Sequence, residues 1–396
     1  MYILKSSHKI YIYAFAVRII ALAIIVMIGE DMSTGLLGST NLNDDVRYLY
    51  TAQLYIKKAT SIIDIPVFQH TMDTVEMGYI HDSFTSMWDW MICILYYILR
   101  NEILIKIVNI VFAVVSIKCI YDICKELYGQ KIAKLASSLY AFLPYPVIFS
   151  CFLYKDQFYT MITLLLLKTA IRCAGHIMLK DIFIMALLVL ISALTRTGLV
   201  VLVAFALILI IYKKGKYKID IKKVLFVIPI CIILSIYIVY LSWDAINTKL
   251  VYYVLEFAQD SEVSTIDFFL IKTPYDIYKY PLSLFVMLLQ PINTSCALNC
   301  WMDVAGFLNI VAVPIAVGNV LYFFNVKQKK SYLFWLAHLF FIVTIITSLN
   351  ITRHQFYLQP YIMMIFAVYC YRMRNRFVLI ASSATLCLLF VGLWLR

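Results

Sequence analysis

Continuous apolar runs of roughly 15–22 residues recur along most of this sequence, close to the ~20 residues that carry a helix across ~30 Å of hydrocarbon. Of the 396 residues, 63% are hydrophobic and 14% charged, whereas a soluble domain holds about 45–50% apolar and about 25% charged residues. One globular core cannot bury that surplus. Lipid offers no water to an unpaired backbone group, so spanning segments must be helices or a closed barrel. The runs are continuously apolar and do not alternate, which excludes a barrel. The expected fold is therefore all-α, a polytopic membrane helix bundle.

The clearest runs predict helices over about 10–29, 103–123, 133–153, 157–173, 181–195, 198–212, 224–242, 304–324, 332–349, 356–371 and 377–395, about eleven in all. A short basic region (Lys5, His8, Lys9) precedes the first run, which is too long for a cleavable signal and reads as a retained helix. The residues at 88–99 are apolar but too few to cross. With the N-terminus inside, one side collects Lys118, Lys125, Lys131 and Lys134, then Arg172 and Lys180. It also collects Lys213, Lys214, Lys216, Lys218, Lys222 and Lys223, then Lys327, Lys329 and Lys330, and finally Arg372, Arg374 and Arg376. That asymmetry is what the positive-inside rule asks of a plasma-membrane protein. If 88–99 crossed fully, every later loop would invert, so that segment reads as a juxtamembrane or re-entrant helix. The net charge of +12 belongs to these loops, and no nucleic-acid partner is expected.

One membrane domain covers 1–396, with a first outer loop and its juxtamembrane helices at 30–102 and a second outer loop at 243–303. Between residues 30 and 90 stand nine acids against three bases, a net charge of −6. A charged loop of that length is more often functional than a connector. Of the ten cysteines, Cys93, Cys119, Cys231 and Cys387 lie within apolar runs and read as small hydrophobes. Cys296 and Cys300 lie in the second outer stretch, where a disulfide stays open if the compartment oxidises. No Walker A, GxSxG or HExxH pattern occurs.

Five places hold polar residues that suit chemistry. In 41–59, Asn43 is a good N-cap and puts Asp44 and Asp45 in a first helical turn, with Tyr48, Ala52 and Tyr55 along one face. The two acids either cap a surface helix, or Asp44 acts as a general base beside the bilayer. Lys155 and Asp156 stand at the outer turn before the 157–173 helix, where they anchor helix ends or hold a phosphate. Arg196 is isolated between two short runs, and its planar fork suits phosphate as well as lipid headgroups. Arg353 and His354 occupy a later outer turn with the same two readings. Arg18 lies inside the first apolar run, where an ionisable residue needs a partner.

The order of these features resembles the GT-C glycosyltransferases, a superfamily that includes the protein O-mannosyltransferases and the aminoarabinose transferases. The resemblance lies in a first helix followed by an outer loop opening on D-D-x-x-Y at 44–48, where that group often has D-E-x-x-Y. It continues through 106–159 and its Lys-Asp turn, LTRTGL at 194–199 and RHQFYLQPY at 353–361. It covers about residues 10–212 well and the remainder loosely. The resemblance implies a polyprenyl-phosphate-linked sugar donor, membrane lipids as surroundings, and a glycan, lipid or protein acceptor on the outer face. It also implies an inverting transfer with Asp44 as base, Asp45 beside it, and Asp156 positioning Lys155 or the acceptor. Lys155, Arg196, Arg353 and His354 would hold the donor phosphate, and Tyr48 and Tyr55 would stack on sugar faces. A divalent metal is left open, since some members need one and others do not. An O-antigen-type polysaccharide polymerase and a non-enzymatic transporter or flippase remain alternatives.

The charge asymmetry is testable on its own. Alkaline phosphatase fused after Thr60 should be active in a bacterial host, and the same fusion after Lys216 inactive; the reverse pattern would invert the topology.

Overall fold

The computed structural model describes residues 6–29, 36, 44–58, 61–62, 87–174, 178–195, 274–290, 298–325, 330–348, 352–372 and 377–394. Among these, all regular structure is helical. The elements are α1 (Ser6–Ile28), α2 (Asp44–Lys58), α3 (Met87–Leu99), α4 (Glu102–Tyr128), α5 (Gln130–Phe142), α6 (Pro144–Phe149), α7 (Lys155–Cys173) and α8 (Leu179–Thr195). After a 3₁₀ turn at Pro274–Lys279 come α9 (Tyr280–Leu289), α10 (Trp301–Leu308), α11 (Val313–Phe324), α12 (Tyr332–Ser348), α13 (Gln359–Arg372) and α14 (Phe377–Trp394). Three helical stretches are long and apolar enough to cross a membrane: Lys9–Ile28, Glu102–Tyr128 and Trp301–Phe324. The helices expected at 198–212 and 224–242 lie outside the described residues.

Local chemistry sets the boundaries. Asn101 caps α4 by accepting the Leu104 N–H at 3.2 Å. Gly129 ends the helix with φ 92°, donating its N–H to the Cys124 and Lys125 carbonyls. That left-handed backbone favours glycine, and it lets α5 turn straight back along α4.

The run at 133–153 is not one helix, contrary to the sequence expectation. Pro144 forces Leu143 into extended geometry (φ −66°, ψ 137°) and stops α5. Proline also lacks the N–H that the Tyr140 carbonyl would have accepted one turn back. Arg18 supplies the replacement from α1: its guanidinium donates to the carbonyls of Tyr140 (3.1 Å), Ala141 (2.7 Å) and Ala14 (3.1 Å), and the side chain is wholly buried. The partner of this intramembrane cation is thus a broken helix end.

Around this break the core closes. α4 packs on α5 and α7, α1 lies across α4 and α5, and α13 lies against α5 and α11. Phe356, just ahead of α13, stacks on Phe149 of α6 with ring centroids 4.0 Å apart. At one end of the bundle the turns after α4 and α11 meet, through Tyr128 and Ser331 (2.6 Å). Lys330 caps the end of α11 there, donating to the Tyr322 and Asn325 carbonyls, and Arg372 reaches the Tyr322 hydroxyl. Lys168–Asp122 and Arg172–Asp181 pairs stand at the same end. Four turns flagged as basic therefore share one end, the basic end. The opposite end carries α2, α3, α6 and the start of α7.

The described part of 243–303 departs from a simple outer loop. Tyr280 bonds His338 (2.5 Å) and meets the ring of Phe323, toward the basic end. Ten residues later Gln290 accepts from Gln355 (2.5 Å), at the opposite end. Residues 280–290 thus climb the bundle, packed on α11 and α12. The polar flanks of this short run concealed it.

α11 and α13 approach closely at Gly318, where a Cβ would lie 2.5 Å from the Phe366 ring and 3.1 Å from that of Tyr369. Gly318→Val should therefore lower stability by about 1–3 kcal/mol through overpacking. A thermal melt in detergent measures it, and Phe366→Leu in the same chain should recover part of the loss.

Candidate active site

The site begins with α2. Its residues Tyr48, Ala52 and Ile56, spaced by four, are buried, and Tyr48 and Ala52 share a core cluster with Trp88 and Ile92 of α3 and Phe158 of α7. This apolar stripe pins a polar helix onto the bundle. The Tyr48 ring is 4% exposed in this packing. The side chains of Asp44 and Tyr55 lie outside the described residues, although both positions belong to α2.

With α2 so docked, Asp45 in its first turn points inward and is 5% exposed. Its Oδ2 accepts the Leu36 N–H at 3.2 Å. The Tyr154 hydroxyl donates to the same carboxylate, and the Lys106 ammonium of α4 attracts it. Burial outweighs these contacts and raises the Asp45 carboxyl above the usual carboxylate range. Asp45 Oδ1 is buried and has no hydrogen-bond partner among the described residues.

Tyr154 belongs to the turn ahead of α7, and three side chains fix that turn. The Trp88 indole donates to the Leu153 carbonyl (3.0 Å), and the Asn109 amide donates to the carbonyls of Ser150 (3.2 Å) and Phe152 (2.6 Å). Lys155, half-buried, and Asp156, 2% exposed, follow at once as the first two residues of α7. One turn deeper, Gln157 is fully buried between the Tyr140 hydroxyl and Ser116, each at 3.3 Å. The 3₁₀ turn Thr352–Leu358 packs against α7, with Tyr357 edge-on to Tyr159 at 5.7 Å. Arg353 and His354 belong to that turn, but their side chains lie outside the described residues, as Arg196 does entirely.

Three flagged segments, 41–59, 150–168 and 349–361, therefore meet at one end of the bundle. The sequence reading passed over Lys106, Tyr154, Asn109 and Gln157. Lys106 did carry a signal, as a lone cation near the start of a long apolar helix, where it also pairs with Glu102 at 2.5 Å. Among the described residues no three His, Cys, Asp or Glu side chains gather in a way that could hold a metal ion. Cys300 is a half-buried free thiol, and Cys296 lies outside the described residues.

A carboxyl raised by burial binds its proton more tightly in the fold than in the unfolded chain. Between the ordinary carboxylate value and the raised one, stability falls as pH rises, and above that window the Asp45 charge is a cost to the fold. Asp45→Asn should thus melt at or above the wild-type temperature at neutral pH, with the difference shrinking as pH drops toward about 4. A plain capping acid would do the opposite and lose about 0.5–2 kcal/mol at neutral pH.

Residues 85–243 match the family model described as dolichyl-phosphate-mannose-protein mannosyltransferase. The match takes in α3 to α8 and the Lys155–Asp156 turn, and stops short of α2. No curated protein and no solved structure gives a significant match. Taken with the all-helical bundle, the family match supports a membrane glycosyltransferase of the GT-C type that uses a lipid-linked sugar.

Proposed function

We propose that the chain transfers a sugar, with inversion, from a polyprenyl-phosphate-linked donor to a hydroxyl of a glycan, lipid or protein acceptor at the outer face of the membrane. The observation that carries this reading is Asp45: a buried acid with one free oxygen, tied to the turn that opens α7. A base poised above the carboxylate range is better matched to a hydroxyl near neutral pH. This gives the base role to Asp45, where local sequence pointed to Asp44.

In the reaction, Asp45 takes the proton of the acceptor hydroxyl as its oxygen bonds to the anomeric carbon. The bond from that carbon to the phosphate oxygen breaks on the opposite face, and its electron pair leaves with polyprenyl phosphate. One displacement with one base inverts the centre. Negative charge grows on the departing phosphate, and fixed cations at that point supply the largest electrostatic gain. In this proposal Lys155, the first residue of α7, takes this role, with Arg196, Arg353 and His354 as further candidates. Asp156 positions Lys155, and Tyr48 and Tyr55 of α2 are the aromatic candidates for stacking on a sugar. The basic end then faces the cytoplasm and the site end faces outward.

The test uses purified protein and a panel of polyprenyl-phosphate sugars, mannose first because the matched family model describes mannosyl transfer. Wild type should release polyprenyl phosphate. Asp45→Asn should lose roughly 10²–10⁴-fold in rate, and Asp44→Asn far less. The wild-type rate should rise with pH through the raised value of Asp45. Loss confined to Asp44→Asn would return the base role to Asp44, and no release from any donor would count against the transferase reading.

A further inference from the structure

Tyr154 meets Asp45 through its hydroxyl and the body of the bundle through its ring. The hydroxyl donates to the carboxylate whose Oδ2 also accepts the Leu36 N–H. The ring, 1% exposed, stacks on Phe149 of α6 with centroids 5.2 Å apart. Phe149 in turn stacks on Phe356 at 4.0 Å, and Tyr145 stands edge-on to both phenylalanines at 5.6 Å. Phe356 belongs to the 3₁₀ turn that carries Arg353 and His354. Its two neighbours pin that turn as well: Gln355 donates to Gln290 at 2.5 Å, and the Tyr357 hydroxyl bonds Thr344 of α12. An unbroken run of contacts therefore leads from the Asp45 carboxylate, through three stacked rings, to the turn.

A phenylalanine at 154 would make the same stack and leave no buried hydroxyl to satisfy. The hydroxyl is therefore of use for what it holds. Tyrosine has only two side-chain torsions, so a ring fixed on Phe149 can aim its hydroxyl in few directions, and the carboxylate it holds is fixed with it. We propose that Tyr154 is the positioning residue for Asp45, and that the Phe149–Phe356 stack keeps the Thr352–Leu358 turn in the same rigid unit. This rests on the transferase reading above and adds how its base and its phosphate-side turn are held in register, as a displacement between two bound substrates requires. The other charged groups of the elements that meet here are Asp44 of α2, Asp89 of α3, Glu102 and Lys106 of α4, Lys155 and Asp156 of α7 and Asp303 of α10. The variants below leave all of them in place.

The first experiment follows the full chain in detergent by infrared difference spectroscopy across a pH series, which reads the C=O stretch of a protonated carboxyl. The Asp45 band is assigned by its loss in Asp45→Asn. A hydrogen bond to the ionised carboxylate favours ionisation, so Tyr154→Phe, which keeps the ring, should move the midpoint of that band up by roughly one to two pH units. Phe149→Leu and Phe356→Leu keep the hydroxyl and loosen the stack, and each should move the midpoint the same way by a smaller step. Tyr371→Phe, at an exposed ring of α13, is the control. An unmoved midpoint in Tyr154→Phe would overturn the inference. A shift in Tyr154→Phe with none in either leucine variant would overturn the coupling through the rings. Kinetics supply the second readout. The rising limb of the rate in Tyr154→Phe should move to higher pH by the same step, with donor KM little changed, whereas Phe356→Leu should raise donor KM at least threefold. A rate lowered equally at every pH would make Tyr154 a packing residue only and overturn its positioning role. A midpoint that shifts as expected in a protein releasing no polyprenyl phosphate would uphold the contacts and sink the transferase reading alone.

Discussion

The site end depends on the bond between Arg18 and the open end of α5. Hydrocarbon punishes an unpaired carbonyl, so a helix can be broken at membrane depth only if something else serves its last carbonyls. Pro144 makes the break and removes the very N–H that Tyr140 needs; Arg18 serves Tyr140 and Ala141 from the neighbouring helix. With that end satisfied, the chain can form the short α6 and the turn after it in place of one long rod. The Arg18 main chain takes part as well, accepting from the Cys151 thiol at 3.6 Å, a weak contact that draws the turn toward α1. A cation in the first apolar run is thus a reason for the shape of residues 140–156.

From that turn the rest of the candidate site follows by contact. Asn109 and Trp88 hold its carbonyls, Tyr154 reaches Asp45, and α7 starts directly after it with Lys155 and Asp156. α2 is weakly apolar, and its Tyr48–Ala52–Ile56 stripe matters for this reason: it turns a peripheral helix into a fixed wall, so that Asp45 is held by packing and not by loop chance. The acid of α2 is thereby held on the same scaffold as the turn that opens α7, and the proposed base role draws on that preorganisation.

Much of this was legible in the residues, and the gaps have physical reasons. Long apolar runs gave helices within a few residues of their expected bounds, as at Ser6–Ile28, Glu102–Tyr128 and Phe377–Trp394. Asn101 and Gly129 are local signals, and they act as such. The split at Leu143 was concealed because hydropathy does not register a missing N–H; Pro144 and Pro146 should have outweighed the continuous apolar count. Residues 280–290 were missed because a ten-residue run between polar flanks looks like a loop when its partners are unknown. The burial of Tyr48 was not legible because α2 alone does not reveal which face the bundle covers.

Arg18 and Asp45 are two buried charges whose polar atoms are paired differently. Both are buried, both sit beside main-chain groups, and each would serve equally well in a list of intramembrane or interfacial ions. Arg18 spends its terminal nitrogens on three carbonyls and leaves only Nε over, an atom enclosed by the protein. Asp45 has Oδ2 engaged by the Leu36 N–H, while its Oδ1 has no hydrogen-bond partner among the described residues. A fold that needed only a helix cap at this position could have used an exposed residue and avoided the desolvation. Keeping such a carboxylate there costs stability, and under the proposed base role the return lies in chemistry that a fully paired acid could not perform.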